Sequence, residues 1–550
     1  MEVSKFVTDN LDTQEMLSRS LQNLVKLYAD PVHFVYELIQ NAEDAGATRI
    51  AFVLTEHQLE VLHDGRPFTV GDLKRLCDVG VSAKPEDLNA IGKFGIGFKS
   101  VFTICDEVYL YSDPNHYAKS VPSESSSSED TAMPSFAVRI RDFVVPEDIP
   151  FEPFGNYTTK FIFPLVAGRP YSSFQDFDKL WSELGERLAH LGASTLLFLR
   201  HIQSIEYKID FREQMRKTIP YGIHSLETLD TPSANCRVVS ATGRTHRQKE
   251  EPASAFIVFS RPLVQSLGRT VDIAFPIEIQ EDGSCRFIAP KEEQRNVFLY
   301  FPTDTPSNLN FIIQGPYQTP PTRATISPTA DNIELAKETA ELLHESILKL
   351  RDLGWLNVDL LRLLPFSGQA FGVKDLFRIL HTKTVTLFQK EVILPKEGGG
   401  YIDAVHAKLA ETKGLAALFA GELLTDLVHD NRDYAWVTTM ISIEKEETKE
   451  LYAFLRNHGH GASIDSLTPP TVCSLLKNNP GFLPRRDNAW LVDFYNLLAA
   501  NPGSFSIVGT SVGCLDIELF KTDKDTFVAA KVRNEGKHYE WNLFLPVEAT

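Results

Sequence analysis

Cysteine is scarce and unpatterned. The 550-residue chain has six, Cys77, Cys105, Cys236, Cys285, Cys473 and Cys514, with no C-x-x-C pair and no metal-ligand spacing. That argues against structural zinc and predicts reduced, mostly buried thiols. Long apolar runs are also missing. None approaches membrane-spanning length, and the opening "MEVSKFVTDN" lacks a signal peptide's hydrophobic segment. The sequence therefore predicts a soluble, cytoplasmic protein with no membrane partner. Positive charge is in deficit: 55 Lys and Arg against 73 Asp and Glu leave a net charge of −18. Nucleic acid is thereby disfavoured as a broad, non-specific ligand, because that mode needs a cationic surface. A Walker A motif, an internal repeat and a Ser/His/Asp constellation are all lacking. His458 and His460 stand in "HGHGAS" without carboxylate or thiolate company, which reads as a loop rather than a metal site.

What is present is globular. The hydrophobic fraction is 43%, and a chain of this length exceeds a single core, so about two to four domains are expected. "TQEMLSRSLQNLVKLYAD" and "FVYELIQNAEDAGATRI" (residues 34–50) carry helical periodicity. "RIAFVLTEHQLEVLHDG" reads as two strands turning near Glu56–His57, "TVGDLKRLCDVG" as a loop and helix, and "EVYLYS", "SFAVRI" and "TTKFIFPL" as strands. "SVPSESSSSED" reads as an acidic surface loop between strands, and a helix near "FQDFDKLWSELGERLAHLG" closes the first domain. From about 195 to 335 strand-like runs alternate, and the long helix "DNIELAKETAELLHESILKLRDLG" follows them. "EVILPKEGGGYID" reads as a hairpin, and the tail from Ser504 is strand-rich.

Three stretches carry candidate chemistry. At 3.6 residues per turn Glu37, Asn41 and Asp44 fall on one helix side. A carboxylate beside a carboxamide can bind hydrated Mg²⁺ and orient a water, although a charged helix face alone is usually just solvated. "GKFGIGFKS" sets Gly92, Gly95 and Gly97 before a short helix, so that consecutive backbone N–H groups and the helix dipole can face a phosphate. A Rossmann reading fails, because the polar "SAKPEDLNA" precedes these glycines where a first strand should. "HDGRPF" follows the strand ending Val61–Leu62. Asp-Gly reads first as a tight turn, but a carboxylate at a strand end could also accept from an adenine amino group.

In this order, "YELIQNAEDAGA", "HDGRPFT" and "IGKFGIGFKSVF" resemble the Bergerat ATP-binding fold (GHKL superfamily) of gyrase B, the Hsp90 chaperones, histidine kinases and MutL. The sequence is most similar to the Hsp90-like branch with the sacsin N-terminal region and the NO VEIN-type proteins, with "LVKLYADPVHF" upstream also typical. The match is specific over about residues 20–110 and extends to about 165. It implies an α+β chain in three parts. Residues 1–194 would form a Bergerat-fold α/β sandwich, a mixed sheet covered by helices, that binds ATP. Residues 195–355 would be an S5-like, Hsp90-middle-like transducer, and 356–550 a mixed α/β region.

The same resemblance assigns roles. Glu37 would be the general base, Asn41 the Mg²⁺ ligand, and Asp44 would lie on the sugar–base side. "VSAKPEDLNA" would be a lid whose Ser82 and Lys84 reach phosphate. Gly92, Lys93, Phe94, Gly95, Ile96 and Gly97 would face the phosphates, with Lys99 and Ser100 opening the next helix. Thr159 matches the threonine that supports the adenine-binding carboxylate. In "NLNFIIQGPYQTPPTRATISPTADN", Arg323 would reach the γ-phosphate, a solvated loop arginine being the plain alternative. One departure concerns the family pattern D-x-G-x-G: aligning Gly65 with its first glycine sets His63 at the adenine position and Pro67 at the second glycine. Either the turn is one residue shorter and Asp64 takes the role, the reading preferred here, or adenine is read differently. The implied activity is a slow, Mg²⁺-dependent ATPase acting as a conformational switch. A homodimer through the N-terminal domains and a protein client or partner on the C-terminal region would follow. A scaffold that senses ATP without turnover is the alternative.

Overall fold

The first helix ends earlier than its periodicity suggests. The computed structural model describes residues 34–541 apart from 78–96, 121–133, 142–144, 168–175, 190, 211–220, 246–249, 265–268, 283, 320–324, 459–460, 502–516, 523, 530 and 534–538. Within it α1 spans Phe34–Asp44, not 34–50. Gly46 stops it by adopting φ +68°, and the Ala47 amide reaches back to the Ala42 carbonyl at 3.0 Å, the hydrogen bond of a glycine-terminated helix. The chain is then free to extend into β1, Arg49–Leu54, which turns into β2, Gln58–His63. α2, Val70–Cys77, follows. Asp72 starts it by accepting from the Thr69 amide while the Asp72 amide donates to Thr69 Oγ1, a reciprocal cap.

β3 (Glu107–Ser112), β4 (Phe136–Arg141), β5 (Val145–Asp148) and β6 (Thr159–Pro164) complete one end of a sheet, and α3 (Phe177–Ala189) precedes the next strands. These are β7 (Ser204–Ile209), β8 (Tyr221–Ser233), β9 (Cys236–Thr245), β10 (Glu250–Pro262) and β11 (Thr270–Ile279). Then come β12 (Cys285–Phe287), β13 (Asn296–Leu299), β14 (Phe301–Pro306), β15 (Ile312–Gln314) and the long helix α4 (Ala330–Asp352).

All fifteen strands lie in one mixed sheet, in the order β14-β13-β15-β11-β10-β9-β8-β7-β1-β2-β6-β3-β4-β5, with β12 on β11. The β1–β7 and β13–β15 pairs are parallel and the others antiparallel. The sheet crosses residue 195 without interruption, because β7 lies directly against β1. The core follows it: Tyr300 and Phe301 pack in the same apolar cluster as Phe34, Leu38 and Phe52. Two compact units result, the first of residues 1–342 with 374–377, the second of 343–373 with 378–550.

The second unit is mainly helical. Its expected hairpin is present, Leu394–Pro395 against Tyr401–Ile402. Ala407–Ala410 pairs in parallel with Ala435–Trp436 and Ser466–Leu467. Cys77, Cys105, Cys236 and Cys285 are thiols as expected, whereas Cys473 is disulfide-bonded. Among the described residues no helix is long and apolar enough to cross a membrane.

Candidate functional site

α1 lies on one face of the sheet, and strand alternation defines which side chains share that face. Phe34, Val35, Leu38, Ile39 and Ala42 of α1 pack with Ile50, Phe52 and Leu54 of β1 and with Leu59 and Val61 of β2. In β6 the matching residues are Phe161 and Phe163. Across β2 and β6 the pairs are Leu59 with Phe163, Val61 with Phe161, and then His63 with Thr159. Two apolar pairs thus end in a polar one on the covered face. Ile50 flanks His63 and Ser112 flanks Thr159 at the same level. The 3-10 helix Gly97–Thr103 covers this face too, Phe98 meeting Phe161 at a ring separation of 5.4 Å.

His63 and Asp64 have contrasting surroundings. Asp64 is occupied by its neighbours: it accepts from the Thr48 amide (2.7 Å), Thr48 Oγ1 (2.7 Å), the Arg49 amide (2.9 Å) and Arg49 Nε (3.2 Å). Burial raises its pKa, but these donors outweigh burial and hold the carboxyl below its usual range. His63 is buried, and its Nδ1 accepts from the Gly65 amide at 3.3 Å. Burial pulls its pKa down to about 4, so the imidazole is neutral near pH 7. Thr158 braces the turn: its amide and hydroxyl both donate to the His63 carbonyl, and the hydroxyl also reaches the Gly65 carbonyl. Thr159 itself is fully buried, and its Oγ1 has no hydrogen-bond partner among the described residues.

Gly65 is required by contact. A Cβ there would lie 2.8 Å from the Ala45 carbonyl oxygen and 2.9 Å from the Ala47 nitrogen, so the turn carrying "HDGRPF" is pressed against the end of α1. Arg66 continues the docking, its amide donating to the Ala45 carbonyl at 2.7 Å and its guanidinium pairing with Asp72 at 2.8 Å.

On α1, Glu37 and Asn41 are half-buried one turn apart, and Asp44 is exposed at the helix end. They offer a carboxylate and a carboxamide oxygen, the hard donors that Mg²⁺ takes while keeping several waters. Among the described residues no group of three His, Cys, Asp or Glu side chains could hold a metal ion. The pair offers two protein oxygens, so an ion held there would take its remaining ligands from elsewhere. Lys99 and Ser100 are buried in the 3-10 helix that Gly97 begins. Ser82, Lys84, Gly92, Lys93, Phe94, Gly95, Ile96 and Arg323 lie outside the described residues. Buried Asn332 ties Gln318 to Ser327. Its Oδ1 accepts from the Gln318 amide (2.7 Å), and its Nδ2 donates to the Gln318 and Ser327 carbonyls.

One residue of α1 that sequence reasoning passed over is Glu43, 3% exposed. It accepts from the backbone amides of Arg200 (2.7 Å), His201 (3.0 Å) and Ile202 (2.9 Å). Helical periodicity could have flagged it, because 43 falls on the face of Ile39 and Ala42 rather than on that of Glu37.

A helix offering Glu37 and Asn41 above a mixed sheet, with a buried polar pair ending the covered row, defines an α+β domain whose mixed sheet is flanked by helices. Residues 59–219 match the model of the Sacsin domain family. The chain is 26% identical over 324 residues to Protein NO VEIN of Arabidopsis thaliana, covering 55% of this chain and 10% of that protein. It is 26% identical over 227 residues to human Sacsin, covering 35% of this chain and 5% of that protein. The matched region is thus at most a tenth of either relative's length. A solved structure described as the N-terminal domain of a DNA repair protein aligns with a TM-score of 0.34 and 13% identity, over 59% of this chain and 96% of that one.

Proposed function

We propose that the first unit binds ATP with Mg²⁺ and hydrolyses it slowly, and that the bound nucleotide sets the conformation of the chain. The observation that most supports this is the pairing of Glu37 and Asn41 on α1 above the sheet face that ends in His63 and Thr159. Glu37 is the general base: its carboxylate takes the proton of the attacking water. Asn41 holds Mg²⁺ through its carboxamide oxygen, and the bound ion supplies positive charge to the phosphates. The loop from Gly92 to Gly97 cradles phosphate through backbone N–H groups, with Lys93 and Lys99 adding charge and Ser82 and Lys84 closing over it. Arg323 stabilises charge developing at the γ-phosphate. Asp44 lies on the sugar–base side.

In this reading ATP drives two N-terminal domains into a homodimer, and residues 356–550 engage a protein client or partner. The work is chaperone-like or belongs to a larger cytoplasmic assembly such as a defence system. Glu37→Ala should abolish phosphate release while retaining ATP binding. Wild-type-like release from that variant overturns the mechanism. In a single-turnover assay with labelled ATP, absence of product from the wild type would instead identify a scaffold that senses ATP without turnover.

A further inference from the structure

The polar pair at the end of the covered row is incomplete. His63 is 3% exposed and Thr159 0%, and they face each other across β2 and β6. The Gly65 amide donates to His63 Nδ1. A neutral imidazole that accepts at Nδ1 carries its proton at Nε2, and is therefore a donor there. Thr159 Oγ1, facing it, has no partner among the described residues. Buried polar groups are normally paired, so an unspent hydroxyl beside a donor imidazole points to a ligand edge that completes it. Asp64 does not compete for this role, because its oxygens are held by Thr48 and Arg49.

Resting on the nucleotide reading above, we propose that His63 and Thr159 read the base as a donor beside an amphoteric hydroxyl, so that the site accepts guanine nucleotides at least as well as adenine nucleotides. A guanine or hypoxanthine edge matches directly: His63 Nε2–H donates to O6, and Thr159 Oγ1 accepts from N1–H. Adenine is satisfied only by sliding one atom along its edge, with His63 donating to N7 and Thr159 accepting from the amino group. A carboxylate in place of His63 could only accept. It would suit the adenine amino group and leave O6 against a negative charge. His63 thus removes the discrimination against 6-oxopurines that a carboxylate imposes.

The test is equilibrium binding of MgATP, MgGTP and MgITP to the full chain, followed by calorimetry. In the wild type the GTP and ITP dissociation constants should equal or fall below that for ATP. His63→Asp should weaken GTP and ITP by more than about tenfold relative to ATP, because a site that leaves polar groups mismatched rejects strongly. Thr159→Val should weaken all three. ATP binding in the wild type with GTP more than about tenfold weaker overturns the inference and leaves the nucleotide reading intact. Binding of none of the three overturns the nucleotide reading and the inference with it. Should His63→Asp fail to fold by circular dichroism, the wild-type comparison and Thr159→Val decide alone.

Discussion

Glu43 Oε1 lies 3.0 Å from the His201 amide and 3.1 Å from its Nδ1, binding the end of α1 to a segment 158 residues away. The flanking amides of Arg200 and Ile202 converge on the same carboxylate, so its lone pairs are spent on backbone. Removing it leaves buried donors unsatisfied, and that cost exceeds the modest net worth of each hydrogen bond. Glu43→Ala should lower unfolding free energy by about 3 kcal/mol, read as a lower urea midpoint at unchanged m-value. The His201 side chain is 56% exposed, so His201→Ala should change the midpoint little.

Gly65 tests the docking of the turn on α1. The two atoms at 2.8 and 2.9 Å from where a Cβ would sit belong to the backbone, so no side-chain movement relieves Gly65→Ala. The turn must shift as a whole, which also moves His63, whose Nδ1 accepts from the same residue. Overpacking of this kind costs about 1–3 kcal/mol. Gly65→Ala should therefore both lower the thermal midpoint and weaken nucleotide binding. A variant with normal stability and affinity would show that the turn is not gripped by α1.

His63 sets a pH dependence with a definite sign. Its pKa falls from about 6.5 in the unfolded chain to about 4 when buried, so the unfolded state binds more protons between those values. Its contribution is fully present above about pH 6.5 and is lost as pH falls toward 4, worth about 3 kcal/mol over that window. Asp64 and Asp72 have lowered pKa values, so their contributions vanish only as pH falls below the ordinary carboxylate value. Urea midpoints at pH 7, 6 and 5 should decline in the wild type. His63→Asn should flatten that decline; an equal slope in both proteins would contradict a buried neutral imidazole.

Local patterns were legible and distant partners were not. The alternation of Leu59 and Val61, the two strands around Glu56–His57 and the helix over 330–352 follow from period alone. The end of α1 depended on Gly46, whose left-handed backbone interrupts a periodic stretch. Period alone does not mark β8, because "YGIHSLETLDTPS" is polar; it is a strand because β7 and β9 both pair with it. "NVFLYFPT" reads as one strand but is two, broken at Tyr300, whose φ of +64° is unusual for an aromatic residue. Of the candidate site, Glu37 and Asn41 were visible as a helix face. Periodicity puts Glu43 on the buried face, but its role was not visible, because its partners lie at 200–202. The orientation of His63 needed the β2–β6 register, and local sequence does not encode it.

The break at Tyr300 leads to the contact by which α1 meets the far half of the sheet. Tyr36 stacks on Phe301 at a ring separation of 4.9 Å, and Arg187 lies over the Tyr36 ring at 5.6 Å. Phe301 is fully buried and Tyr36 is 8% exposed, so each truncation alone costs cavity and transfer energy. The pairwise part is separable by a double-mutant cycle of Tyr36→Ala and Phe301→Ala. Offset aromatic pairs contribute about 0.5–1.5 kcal/mol beyond area burial, and that coupling energy is expected in unfolding experiments. Because Tyr36 adjoins Glu37, the Phe301→Ala protein should also show altered phosphate release at saturating ATP. Coupling near zero, with unchanged turnover, would mean that α1 acts independently of β14.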